Sequence, residues 1–198
     1  IVDNQTFLTL YQKKYKTLPA RAQSDLQVLL AFIAVDPAFT SPDAPTTYAP
    51  FKSAHHLRQA AYMLATAKHE TANTFAPIEE YGKGKGLPYG KPDRKTGLVY
   101  FGRGYVQLTW AKNYQTMGTV LGLPLYTQPD LALRYDVAYK IMSYGMTHGT
   151  FTGVALRRYI NEGKTDYLNA RKIINGTDKA DLIAGYATAI EQMLLDSL

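Results

Sequence analysis

Three carboxylates stand close together in "HETANTFAPIEEY", residues 69–81: Glu70, Glu79 and Glu80. Two acids facing one another across a cleft are the minimum set for breaking a glycosidic bond. One protonates the leaving oxygen and the other activates a water. A proton donor must keep its proton near neutral pH. Burial and the partially negative C-terminal end of a helix both disfavour the charged form of a carboxyl group. Glu70 has that position, because it closes the apolar run "LRQAAYMLATAKHE" and continues the stripe Met63, Ala67. A solvated acid at a frayed helix end would show the same spacing. Glu79 and Glu80 follow a turn containing Phe75 and Pro77, so the chain can fold back towards Glu70. An exposed acidic pair is the alternative.

A second candidate stretch is "GRGYVQLTW", residues 102–110. Glycines flank Arg103 and permit sharp turning or close approach of the backbone to a ligand. In an extended chain, Gln107 and Thr109 share one face while Val106 and Leu108 share the other. The polar face suits sugar hydroxyls or a held water, although a half-buried edge strand would look alike. Other motifs fail on spacing. "HETAN" lacks the second histidine of the zinc-protease H-E-x-x-H. The adjacent His55 and His56 are expected to point apart on a helix, a poor metal pair. "GKGKG" at 82–86 is no phosphate loop. With Lys83, Lys85, Lys91, Arg94 and Lys95 it forms a basic segment that suits a polyanion or simply solvent.

The elements that must position these residues read as mostly helical. Helical periodicity covers 4–16, 19–35 and 54–71. Four prolines between 36 and 50 mark a long loop. Residues 76–101 are glycine- and proline-rich, with "LVYFG" at 98–102 as the better strand candidate. Helical pattern returns after 110 to about 121, then in one helix opened by Pro129 and Asp130, in "TDYLNARKIIN", where Gly176 suits a C-terminal cap, and in the closing "DKADLIAGYATAIEQMLL". The count is about seven helices and a small irregular β region. One domain is expected over 1–198, with 36–53 as a Pro-rich loop.

Bulk properties narrow the class. The chain has 198 residues, 46% of them hydrophobic and 19% charged, an ordinary globular balance. It has no cysteine, which excludes thiolate catalysis, disulfides and cysteine-based zinc sites. No run is long and apolar enough for a transmembrane helix, and the N-terminus lacks the pattern of a secretory signal. A net charge of +6 and a pI near 9.3 favour anionic partners.

Four segments, in order, resemble glycoside hydrolase family 19, which holds plant-type chitinases and lysozyme-like bacteriophage endolysins. They are "LRQAAYMLATAKHET" (57–71), "IEEYG" (78–82), "YFGRGYVQLTWAKNY" (100–114) and "RKIINGTD" (171–178). The resemblance implies a mainly α, lysozyme-like fold with a substrate cleft and an inverting reaction. It makes Glu70 the general acid and Glu79 the base, with Glu80 as rival, and gives Thr109 the water. Gln107, Asn113 and Asn175 would contact sugar, Arg103 would stabilise the acidic cleft, and Glu80 and Tyr105 would line the substrate. Asn73 and Thr74 stand where the family commonly has glycines, Gln115 replaces an asparagine, and the loop from Glu79 to Arg103 is short. These departures favour the endolysin branch. The expectation is therefore a monomeric muramidase cutting the β-1,4 glycan of bacterial peptidoglycan, made in the cytoplasm and acting on the cell wall, with no cofactor, metal or nucleic acid. A chitinase is the alternative. A non-catalytic wall- or nucleic-acid-binding domain is the alternative from another class.

Overall fold

A computed structural model describes residues 2–198. Seven α-helices stand among the described residues, one for each helical segment of the sequence: α1 (Asn4–Tyr15), α2 (Ala20–Ala34), α3 (Ala54–Glu70), α4 (Ala111–Leu121), α5 (Tyr135–His148), α6 (Tyr167–Ala170) and α7 (Ala180–Leu195). Two short antiparallel strand pairs stand beside them among the described residues. In the first, β1 (Ile78–Glu79) pairs antiparallel with β2 (Arg103–Gly104), placing Glu79 opposite Arg103. In the second, β3 (Ile160–Asn161) pairs with β4 (Lys164–Thr165). No described helix is long and apolar enough to cross a membrane.

The chain forms two compact units, one comprising the chain up to Phe75 together with Ser143–Leu198, the other Ala76–Met142. In the first unit α3 is the central element. Every residue from Gln59 to Lys68 is buried, so the helix is enclosed on all sides and not merely along one stripe. Its alanines allow close packing, and it lies against α7. Arg58 on α3 donates to Glu191 on α7 at 2.8 Å, and the Tyr167 hydroxyl of α6 donates to the same carboxylate at 2.8 Å. The Pro-rich loop closes on itself: Thr40 bridges Phe51, and Phe39 and Phe51 are fully buried.

The second unit holds most of the irregular chain. "LVYFG" is not a strand; the pairing falls one step later, at Arg103–Gly104. There Gly104 takes φ +91, and a Cβ on it would stand 3.0 Å from the Ala132 carbonyl oxygen. Residues 105–107 then turn, and Leu108 bridges back to Arg103. The expected alternation of Gln107 and Thr109 against Val106 and Leu108 is therefore lost, because a reversal replaces an extended run. The segment from Pro129 also differs from its reading as one helix. A 3-10 turn covers Pro129–Leu133, Arg134 is extended, and α5 starts afresh at Tyr135. Gly176 is not among the residues with positive φ; in this region Lys179, ahead of α7, takes the left-handed conformation.

Candidate active site

Glu70 is the last residue of α3, as its spacing requires. Its Oε1 accepts a hydrogen bond from Arg171 Nη1 at 2.6 Å. The Arg171 side chain is only 3% exposed and that of Glu70 18%. Arg171 Nε donates in addition to the Asp178 carbonyl at 2.9 Å. Helical spacing alone puts Glu70 at a helix end with partial burial; the structure adds a buried guanidinium that fixes where the carboxylate points. Arg171 was missed as a partner because it lies 101 residues away along the chain, although it opens "RKIINGTD".

The turn after Glu70 is also tied down. Lys68 is buried, with its ammonium over the rings of Tyr15, Tyr186 and Tyr11 at 4.2, 4.8 and 5.0 Å. It donates to the Tyr11 hydroxyl at 2.6 Å and to Asn73 Oδ1 at 2.8 Å. Asn73 N donates to the Lys68 carbonyl at 2.8 Å, and the Tyr11 hydroxyl bonds Asn73 Oδ1. Both ends of Lys68 thus clamp Asn73, and Glu70 sits on the segment so closed. Burial lowers the Lys68 pKa to about 8. Asn73 itself has φ +67, a conformation in which asparagine is tolerated. That accounts for one position where the family commonly has glycine.

In the second unit the two rival acids separate. Glu80 is engaged by its own scaffold: Gly102 N donates to its Oε2 at 3.1 Å and the Tyr89 hydroxyl to its Oε1 at 2.8 Å. Glu79 on β1 pairs with the flexible head of Lys83 at 3.1 Å, and its side chain is 36% exposed.

The polar residues of "GRGYVQLTW" are occupied within the fold. Arg103 is 4% exposed. Its Nε donates to Asp130 at 3.0 Å, its Nη1 to the Tyr114 hydroxyl at 3.1 Å and to the carbonyls of Val99 and Phe101, and its guanidinium stacks 3.7 Å from the Phe101 ring centre. Gln107, with φ +55, donates its amide to the Ile78 and Gly104 carbonyls at 3.0 and 3.1 Å, lacing β1 to the turn. Tyr105 is fully buried. Thr109 is half-buried and its hydroxyl donates to the Gln107 carbonyl at 2.9 Å, leaving oxygen lone pairs to accept. Asn113 and Asn175 are exposed, bonded to the Thr109 carbonyl and the Gly176 amide respectively.

His55 and His56 do not point apart. Their rings lie 4.1 Å apart and both Nδ1 atoms meet the Ser53 hydroxyl, at 2.9 and 2.8 Å. Burial, then His55, lowers the His56 pKa to about 4. Neighbouring positions on a helix diverge, but here the side chains bend towards the N-cap serine. No group of three metal-ligating His, Cys, Asp or Glu stands among the described residues.

No protein-family model matches the chain. An endochitinase of Arabidopsis thaliana is 38% identical over 108 residues, 52% of this chain and 34% of that protein. A basic endochitinase of Brassica napus is 36% identical over 94 residues, 45% of this chain and 34% of that protein. The chain thus spans about a third of the length of the curated relatives it matches. A bacterial family 19 chitinase structure aligns with 98% of this chain and 94% of its own, at TM-score 0.59 and 22% identity. A family 19, class IV chitinase from Zea mays aligns over 98% and 92%, at TM-score 0.56 and 16% identity. The fold is mainly α, as in these enzymes.

Proposed function

We propose that this chain, which resembles glycoside hydrolase family 19 in sequence and fold, hydrolyses a β-1,4-linked glycan of N-acetylglucosamine, a chitin-type polymer, by inversion. The observation that carries the proposal is Glu70: a carboxyl group at the end of a buried helix, aimed by a buried arginine. In the reaction Glu70 gives its proton to the glycosidic oxygen as the bond from the anomeric carbon to that oxygen breaks. The resemblance to the family gives Glu79 the role of base, taking a proton from a water whose oxygen attacks the same carbon from the opposite face. Glu79 is preferred to Glu80 as base, since both Glu80 oxygens already accept hydrogen bonds. Thr109 accepts a hydrogen bond from that water. Gln107, Arg103 and Tyr105 act by holding the turn that carries Thr109. Asn113 and Asn175 are exposed and suit sugar contact.

Chitin-type substrate is favoured over peptidoglycan by the endochitinase relatives. One observation supports the second reading: the +6 charge, with five cations between Lys83 and Lys95, suits the anionic glycan of a bacterial wall. In that reading the enzyme works as a monomer at the cell wall. Mass spectrometry of digests of N-acetylglucosamine oligomers and of purified peptidoglycan tests both readings. Cleavage of the oligomers supports the chitinase, cleavage of peptidoglycan alone supports the muramidase, and cleavage of neither refutes the glycosidase.

A further inference from the structure

A pocket of about 250 Å³ in the second unit lies between Tyr89, Trp110, Tyr100, Lys91 and Arg94. Ligand cavities commonly run ~300–1,000 Å³, so this one suits a single ring and not an extended chain. Its walls are built. Tyr89 and Trp110 meet edge to face, with ring centres 5.4 Å apart. The Tyr89 ring is held by its hydroxyl bond to Glu80. The segment that carries it closes on itself, since a Cβ on Gly90 would lie 1.7 Å from the Gly84 carbonyl oxygen; the two backbones touch, and only glycine permits that.

Trp110 is the unusual residue. It has φ +74, a strained conformation for a bulky residue. Its backbone is fixed on both sides: its N donates to the Tyr100 carbonyl at 2.9 Å, and its carbonyl accepts from Asn113 and Tyr114. Even so, 49% of its surface is exposed. A large ring held in a strained backbone and left half in water is arranged for a ligand to lie against.

The charges name the ligand. Lys91 and Arg94 are exposed at the pocket, and no hydrogen bond or ion pair engages their head groups among the described residues. Asp93 lies between them, but its Oδ1 accepts from Lys95 N, Thr96 N and the Tyr126 hydroxyl. Hydrogen bonds from the Lys95 and Thr96 amides hold its pKa below the usual carboxyl value, so it stays charged and turned into its own turn. Two cations and one committed carboxylate leave a net positive rim. Aromatic faces match the C–H face of a sugar ring, and guanidinium with ammonium matches a carboxylate.

We propose that this pocket binds one sugar ring bearing a carboxylate, the ring against Tyr89 and Trp110 and the carboxylate on Lys91 and Arg94. The ligand of this pocket is then an anionic N-acetylated sugar, bound here in addition to the glycan that the proposed reaction cuts. The proposal takes from the glycosidase reading only the expectation that glycan reaches this surface.

Trp110 is the only tryptophan of the chain, so intrinsic tryptophan fluorescence reports this pocket directly. The Glu70→Gln chain is titrated with N-acetylmuramic acid and with N-acetylglucosamine, which share a ring and differ by a carboxylate arm. The acid is expected to shift the fluorescence and bind at least tenfold more tightly, with the preference shrinking in high salt. In Lys91→Gln/Arg94→Gln, two exposed changes whose fold is checked by circular dichroism, the two sugars should bind within twofold of one another. Equal binding of both sugars by the parent, or an unchanged preference in the double variant, overturns the proposal. Binding needs no turnover, so the outcomes separate: acid preference in a chain that cuts no glycan refutes the proposed function alone, and hydrolysis of glycan without acid preference refutes this site alone.

Discussion

Replacing Glu70 by Gln separates chemistry from architecture, because the structure gives that side chain two tasks. The first is to deliver a proton, which an amide cannot do. Loss of a general acid costs about 10²–10⁴-fold in turnover. The second is to accept the bond from Arg171 Nη1 at 2.6 Å. An amide oxygen in the same place still accepts it, but the partner is no longer charged. The guanidinium keeps its charge, so the bond remains charge-assisted and within the ~1.5–3 kcal/mol of such bonds, and the variant should lose no more than about 1 kcal/mol. For a chain of this size that lowers Tm by no more than about 2–4 °C. Arg171→Met is the complementary change. It removes the bonds to Glu70 and to the Asp178 carbonyl together and should cost about 3 kcal/mol, or roughly 6–12 °C. The assays are release of reducing ends from N-acetylglucosamine oligomers and from peptidoglycan, and calorimetric melting. Glu70→Gln with turnover within tenfold of wild type and an intact fold would refute the proton-donor assignment. A loss of Tm as large as that of Arg171→Met would refute the two-task account.

Other outcomes follow from the same geometry. Glu79→Gln should abolish turnover with little change in Tm, whereas Glu80→Gln, which weakens the bonds from Gly102 and Tyr89, should lower Tm and reduce turnover less; kinetics and melting on both variants check the order. Thr109→Val should lower kcat more than it raises KM, since the hydroxyl is assigned to the attacking water; a KM effect alone would make it a sugar contact. An inverting reaction should give the α-anomer first from a β-linked substrate, read by proton NMR before mutarotation, and a β-anomer would exclude direct attack by water. Lys68 has its pKa lowered by burial from 10.5 to about 8, so between those values the unfolded chain binds more protons and stability rises with pH. Relative to Lys68→Met, the wild type should therefore gain about 2 kcal/mol between pH 7 and pH 9.5, measured as the difference in denaturant unfolding free energy; a constant difference would refute the shift.

The sequence by itself determined what depends on near neighbours. Each helical segment is a local periodicity, and each of the seven contains an α-helix, although the one read from Pro129 begins only at Tyr135 and "TDYLNARKIIN" is α-helical only over Tyr167–Ala170. Glu70 falls at the end of α3 because seventeen residues of helical pattern stop there. The resemblance to family 19 is likewise carried by short runs in fixed order. The irregular region was poorly legible, since two-residue strands have no period to read. Whether "GRGYVQLT" runs extended or reverses at 105–107 depends on Gly104 meeting Ala132 and on the Gln107 amide reaching Ile78. Only the tertiary structure decided how the polar groups are shared out. Arg171 reaches Glu70 across 101 residues, Lys68 finds three tyrosines from two other helices, and Glu80 is taken up by Gly102 and Tyr89 while Glu79 keeps an accessible carboxylate. A carboxylate's type and spacing say what it can do. Its partners are fixed by packing, because a hydrogen bond or ion pair acts over about 3 Å of space however far apart its two ends lie along the chain.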